Sequence, residues 1–114
     1  MKLLILLFIS FGCGISDTQK EVEKIDNKTL IELKKDPEVQ LLDVRTAREV
    51  ANGFIKGATH IDFFDSNFEI DVAKLDKTKP IIVYCAAGSR SAKSGKKLSS
   101  LGFIKIYDLT GGFS

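Results

Sequence analysis

A chain of 114 residues holds one domain with a core of modest size. Hydrophobic residues at 44% and charged residues at 28% mark a globular chain rather than a disordered one. A formal charge of +2 is too near neutrality to point to nucleic acid or to a polybasic membrane patch. With one histidine, His60, and two cysteines, Cys13 and Cys85, the chain can build neither a zinc cluster nor a C-x-x-C redox pair. No metal or cofactor is expected.

Met1 and Lys2 make a minimal positive start, and residues 3–11 are apolar apart from Ser10. That run is too short to span a bilayer, which takes about 20 apolar residues, and it has the form of the apolar core of a secretory signal peptide. It closes on Gly12-Cys13. Residues 1–12 thus resemble a bacterial lipoprotein signal, in which a small residue precedes the cysteine that is lipidated and becomes the N-terminus. The resemblance implies lipid attachment at Cys13 and an exported protein anchored to a membrane of a bacterial cell envelope, on its periplasmic or surface side. An ordinary signal peptide cut nearby is the alternative. Residues 13–23 are largely polar and charged without apolar periodicity and read as a tether, with the folded domain over residues 24–114. Cys85 is then the free thiol of the mature protein, the alternative being a disulfide with Cys13.

Val22 and Ile25 sit among charged neighbours and predict a short edge strand over residues 22–26. Asp26 or Asn27 caps a helix whose apolar face is Leu30, Ile31 and Leu33, ending before Pro37. Residues 39–44 predict a second strand. Thr46 caps a short helix over residues 46–52 that Gly53 stops, and residues 58–63 are extended. Residues 62–79 mix Phe63, Phe64, Phe68 and Ile70 with charges and give no clean period. They are expected to form a loop with one short helix that supplies aromatic side chains to the core. Residues 81–84 (Ile-Ile-Val-Tyr) suit a buried strand. A helix over residues 89–101 follows, with Ala92, Gly95, Leu98 and Leu101 on one face and Lys93, Lys96 and Lys97 outward. Gly102 stops it, and residues 104–109 alternate as a last strand. Strands alternating with short helices predict an α/β domain with a mainly parallel sheet, in which ligands gather at the carboxyl ends of the strands.

Cys85 stands at such an end. Ala86, Ala87, Gly88 and Ser89 follow it, then Arg90 inside the helix start. A cysteine placed between a strand end and a helix N-terminus meets converging N–H groups and the helix dipole, which favour an anion, here a thiolate. The N–H groups of residues 86–90 can curl around sulfur as an anion-binding nest, and Arg90 adds a fixed positive charge.

With these elements in place, four blocks resemble the rhodanese family of sulfurtransferases: L-L-D-V-R-T-A-R-E at 41–49, G-F-I-K-G-A-T-H-I at 53–61, residues 80–92, and L-G-F-I-K-I-Y-D-L-T-G-G at 101–112. The resemblance implies a three-layer domain, a mainly parallel central sheet flanked by short helices, with the family's final helix missing beyond Ser114. It implies Cys85 as nucleophile and Ala86, Ala87, Gly88, Ser89 and Arg90 as the substrate-binding loop. Asp43 and Arg45 are expected to be an internal charged pair, and His60 a satisfied or surface histidine. The implied reaction moves a sulfane sulfur from thiosulfate or a persulfide, through a Cys85 persulfide, to a thiophilic acceptor such as a thiol, cyanide or a protein partner. The spacing Cys-x4-Arg is one residue shorter than the Cys-x5-Arg loop of cysteine-dependent phosphatases and favours sulfur over phosphoryl transfer. Ala86 and Ala87 stand where family members often carry basic or polar side chains. The alternatives are an exported sulfide carrier or sensor, and a non-catalytic interaction module on the same fold.

Overall fold

A computed structural model describes residues 21–113; the expected signal segment, Cys13, most of the expected tether and Ser114 lie outside the described residues. The described elements alternate along the chain as β1 (Val22–Ile25), α1 (Asn27–Leu33), β2 (Gln40–Asp43), α2 (Ala47–Ala51), β3 (Thr59–His60), α3 (Phe68–Val72), β4 (Ile81–Tyr84), α4 (Ser89–Ser100) and β5 (Ile106–Leu109). The five strands form one sheet in the order β1-β5-β4-β2-β3, and every pairing is parallel. Val22 and Glu23, at the edge of the expected tether, already belong to β1.

β4 is the central strand and all four of its residues are buried, as a parallel strand covered on both faces requires. Its side chains alternate between two cores. Ile81 and Val83 join Leu42, Val44, Phe68, Val72, Leu98, Phe103 and Ile106 on the side of α3 and α4. Ile82 and Tyr84 join Ile25, Leu30, Leu41 and Leu109 on the side of α1. Continuing the period of two, Cys85 belongs to the first core and is 1% exposed.

The helices bury narrower faces than hydropathy suggests. In α1, Leu30 is buried and Leu33 partly so, while Ile31 is 62% exposed. Leu30 and Leu33 share a face at i, i+3, and a helix this short has no second face against the sheet. The buried stripe of α4 is Ser91, Ser94, Gly95, Leu98 and Ser99, so Ala92 is exposed and Leu101 is only partly buried as the C-cap. Small residues bring this helix against the sheet: a Cβ on Gly95 would meet Val22 of β1 at 3.2 Å. α3 sends Phe68 into the core, and Phe63 packs edge-on against it with ring centroids 5.4 Å apart. Phe64 is 69% exposed, however, and Ile70 faces solvent as well. The extended segment around residues 58–63 is strand only at Thr59–His60.

Candidate active site

The carboxyl ends of β2, β4 and β5 converge on one rim. Cys85 leaves β4 there and the chain turns at once into α4, with Gly88 as its N-cap at φ +104°. An L side chain would strain that backbone, and a Cβ at Gly88 would also sit 3.3 Å from the Thr110 carbonyl oxygen. The turn folds the helix start back over the sulfur. Gly88 N donates to Cys85 Sγ at 3.0 Å and Ser91 N donates at 3.3 Å. Burial pushes the Cys85 thiol up, but the Ser91 hydroxyl and the N–H groups of Ser91, Gly88 and Ala87 hold it below its ordinary value. These bonds favour the thiolate, and the dipole of a 12-residue helix points the same way.

Ser91 is a site residue that sequence reasoning missed. Its Oγ lies 2.7 Å from Asp108 Oδ1 and 3.2 Å from the Gly88 carbonyl oxygen, so it ties the first turn of α4 to buried Asp108 on β5. Its placement six residues after Cys85, within the first turn of α4, was the available signal.

Among the expected loop residues, Ala86 lines a neighbouring cavity, Ala87 and Ser89 are exposed, and Gly88 makes the turn. Arg90 is committed elsewhere. Its Nη1 and Nη2 donate to Glu49 Oε1 and Oε2 at 2.7 and 3.0 Å. Glu49 is the N3 residue of α2 and closes a capping box with Thr46: Glu49 N donates to Thr46 Oγ1 and Thr46 N to Glu49 Oε1. Bonds from Arg90 and Thr46 hold the Glu49 carboxyl down at about 2. The Thr-Ala-Arg-Glu spacing of a capping box is readable in the sequence; its link to Arg90 is not.

Asp43 and Arg45 form the expected internal pair. Arg45 Nε lies 3.0 Å from Asp43 Oδ1 and its Nη2 lies 2.8 Å from Oδ2. Tyr84 donates its hydroxyl to the same carboxylate at 2.7 Å and accepts from Ile55 N. Burial pushes Asp43 up, yet the bonds from Arg45 and Tyr84 hold it below the usual carboxylate range; Tyr84 is pushed up to about 12 by burial and by Asp43. Arg45 also donates to the Gly53 carbonyl oxygen at 2.7 Å and stacks over the Phe113 ring, 4.7 Å from its centroid. His60 is satisfied by the Arg45 carbonyl oxygen at 2.6 Å. The double glycine acts on the loop from behind: Phe113 N donates to the Cys85 carbonyl oxygen at 2.8 Å, and a Cβ on Gly112 would land on the Ala86 carbonyl.

The chain is similar to known proteins. A family model described as "Rhodanese-like domain" matches residues 26–114. The thiosulfate sulfurtransferase GlpE of Pseudomonas putida is 33% identical over 93 residues, covering 82% of this chain and 83% of that protein. The tRNA uridine(34) hydroxylase of Pelagibacter ubique is 32% identical over 105 residues, which are 91% of this chain but 35% of that longer protein. Among solved structures, a rhodanese-like domain protein from Staphylococcus aureus superposes with a TM-score of 0.70 at 30% identity, covering 80% of this chain and 87% of that one. The chain belongs to the rhodanese family, and residues 26–114 are its rhodanese-like domain.

Proposed function

We propose that the protein is a sulfurtransferase in which Cys85 accepts a sulfane sulfur from thiosulfate or a persulfide and passes it to a thiophilic acceptor. The observation that carries this reading is the sulfur of Cys85 at the carboxyl end of the central strand, accepting N–H bonds from Gly88 and Ser91 at the start of α4. In the first step the thiolate attacks the outer sulfur of thiosulfate. A Cys85–sulfur bond forms, the donor's S–S bond breaks, and sulfite leaves with the bonding pair. The persulfide keeps one negative charge on its outer sulfur, where loop N–H groups stabilise it as they do the thiolate. Cyanide or a thiolate then attacks that sulfur and Cys85 leaves as thiolate. No electrons enter or leave the system, so the cycle needs no redox cofactor.

Steady cyanolysis of thiosulfate or an organic persulfide, abolished in Cys85→Ser, is the expected result. Mass spectrometry should find Cys85 heavier by one sulfur when donor is supplied alone. The near-complete burial of Cys85 favours one second reading, a carrier that holds its persulfide and releases it to a protein partner. A stable adduct with little turnover to cyanide distinguishes it. An absent adduct leaves only a non-catalytic interaction module. The proposal includes export and lipid attachment at Cys13, supported by the apolar run that stops at Gly12-Cys13. Fatty-acid labelling that is lost in Cys13→Ala is expected; labelling that survives rejects the anchor.

A further inference from the structure

Asp108 is a buried acid that the transfer chemistry above leaves unused. It is 3% exposed on β5, and no ion pair among the described residues includes it. Val83 is its register partner on β4. Paired residues share a face of the sheet, so Asp108 lies on the face that carries Cys85 two residues after Val83. Ser91 connects the two. Its Oγ lies 2.7 Å from Asp108 Oδ1 and 3.2 Å from the Gly88 carbonyl oxygen, and its N–H donates to Cys85 Sγ at 3.3 Å. Cys85, Ser91 and Asp108 are all buried, so water competes little for these bonds.

A hydroxyl has a single proton to donate, and here two acceptors compete for it. The Asp108 carboxylate is a fixed one. Cys85 Sγ is a variable one: it carries a full charge as thiolate, and the Ser91 hydroxyl then helps to hold the thiol below its ordinary value. Once a persulfide forms, the charge sits on the outer sulfur and Sγ becomes a neutral, weak acceptor. The other charged groups around this pair do not follow that change. Arg90 on α4 is held by Glu49 of α2 and also feels Asp62, and Lys24, the register partner of Asp108 on β1, is exposed.

We propose that the Ser91 hydroxyl turns between Asp108 and Cys85 Sγ in step with the charge on that sulfur, with Asp108 the positioning residue that holds it while Cys85 carries a persulfide. The proposal rests on the sulfur-transfer reading above and adds a group to its second step. When an acceptor attacks the outer sulfur, the bond from that sulfur to Sγ breaks and the electron pair stays on Sγ. The hydroxyl turns from Asp108 towards the charge developing there and lowers the barrier to departure. Loading runs the other way: Sγ loses its charge as the new S–S bond forms, and the hydroxyl returns to Asp108. Only a torsion changes. No proton changes owner, and no electron enters or leaves.

The test separates the two half-reactions in the full chain, at a pH where Cys85 is fully thiolate. Cys85 is loaded with thiosulfate and the added sulfur is followed by mass; the donor is then removed and the persulfide is discharged with cyanide. Ser91→Ala should slow discharge about tenfold, as expected for losing one hydrogen bond to a developing charge, while loading is slowed by no more than about twofold. Asp108→Asn replaces the charged competitor by a weaker neutral acceptor and leaves the hydroxyl on sulfur. The pH profile of Cys85 alkylation should therefore move to lower pH, and by much less when Asp108→Asn is made in the Ser91→Ala background. Discharge as fast in Ser91→Ala as in the wild type overturns the proposal. Equal slowing of both half-reactions does so too, since it marks a merely structural loss, as does an Asp108→Asn shift of the same size with and without the hydroxyl. If wild-type Cys85 takes up no sulfur, the sulfur-transfer reading falls by itself, and the alkylation profiles still decide whether Asp108 and Cys85 share the Ser91 hydroxyl.

Discussion

Ser91 stands between Cys85 and buried Asp108 behind the loop. Its N–H reaches Cys85 Sγ, and its hydroxyl lies against Asp108 while also lowering the thiol's pKa. Replacing it by alanine keeps the N–H and removes the hydroxyl. The thiolate is favoured in the folded site, so it is lost only as pH falls through a value below the ordinary thiol pKa of about 8.5. Loss of the hydroxyl moves that limb to higher pH. The pH profile of Cys85 alkylation by iodoacetamide should therefore shift to higher pH in Ser91→Ala. The same variant takes a partner from buried Asp108, and urea unfolding should register a cost of about 1–3 kcal/mol. An unshifted alkylation profile would show that the backbone N–H groups alone set the thiol.

Between elements, the Glu49–Arg90 bond joins α2 to α4 across the mouth of the site. Glu49 is held at about 2 in the fold, against about 4.3 when unfolded. Its contribution to stability is thus complete above the unfolded value and is lost as pH falls through about 2. Glu49→Gln should be less stable than the wild type at pH 7, with the difference shrinking as pH falls below about 4 and vanishing near 2. A gap in urea midpoint that stays constant over that range would contradict the pairing. The paired glycines make a sharper contrast. Gly112 has φ +69°, and a Cβ there meets the Ala86 carbonyl and lies 2.9 Å from the Cys85 oxygen; a Cβ at Gly111 meets nothing within 4 Å. Gly112→Ala should distort the loop and abolish thiol activation, while Gly111→Ala stays near wild type in alkylation rate. The same contrast marks the limit of what the chain alone reveals. Strand β4, the Thr46 cap and the Gly88 turn are local, so residue type and spacing predict them well. The partners of Arg90, Ser91 and the Ala86 carbonyl come from Glu49, Asp108 and Gly112, which lie 17 or more positions away. Only the strand order β5-β4-β2 brings them to one rim. Hydropathy likewise assigned Ala92 to the buried face of α4, because nothing in a serine's polarity reveals that Ser91 and Ser94 are the ones that face the sheet.

For the whole molecule, parallel pairing fixes where a membrane anchor would enter relative to the chemistry. β1 runs parallel to β5 and β5 to β4, so Val22 opens the sheet at its amino edge while Cys85 leaves it at the carboxyl edge. Residues 14–21 separate Cys13 from Val22. At about 3.5 Å per residue, eight residues reach at most ~30 Å, so an anchor at Cys13 would hold the domain by its amino edge, the side away from the cysteine loop. A donor or acceptor would then approach from the aqueous side rather than from the lipid surface. Lipidated protein on vesicles and lipid-free Cys13→Ala protein should therefore lose the Cys85 thiol at equal rates to a charged, membrane-impermeant maleimide. Protection of Cys85 on vesicles by more than a few-fold would mean that the loop faces the bilayer and that the anchor or its entry point has been misassigned. Cys85→Ser separates these outcomes from adventitious labelling, because the remaining cysteine is the acylated one and should take up no maleimide.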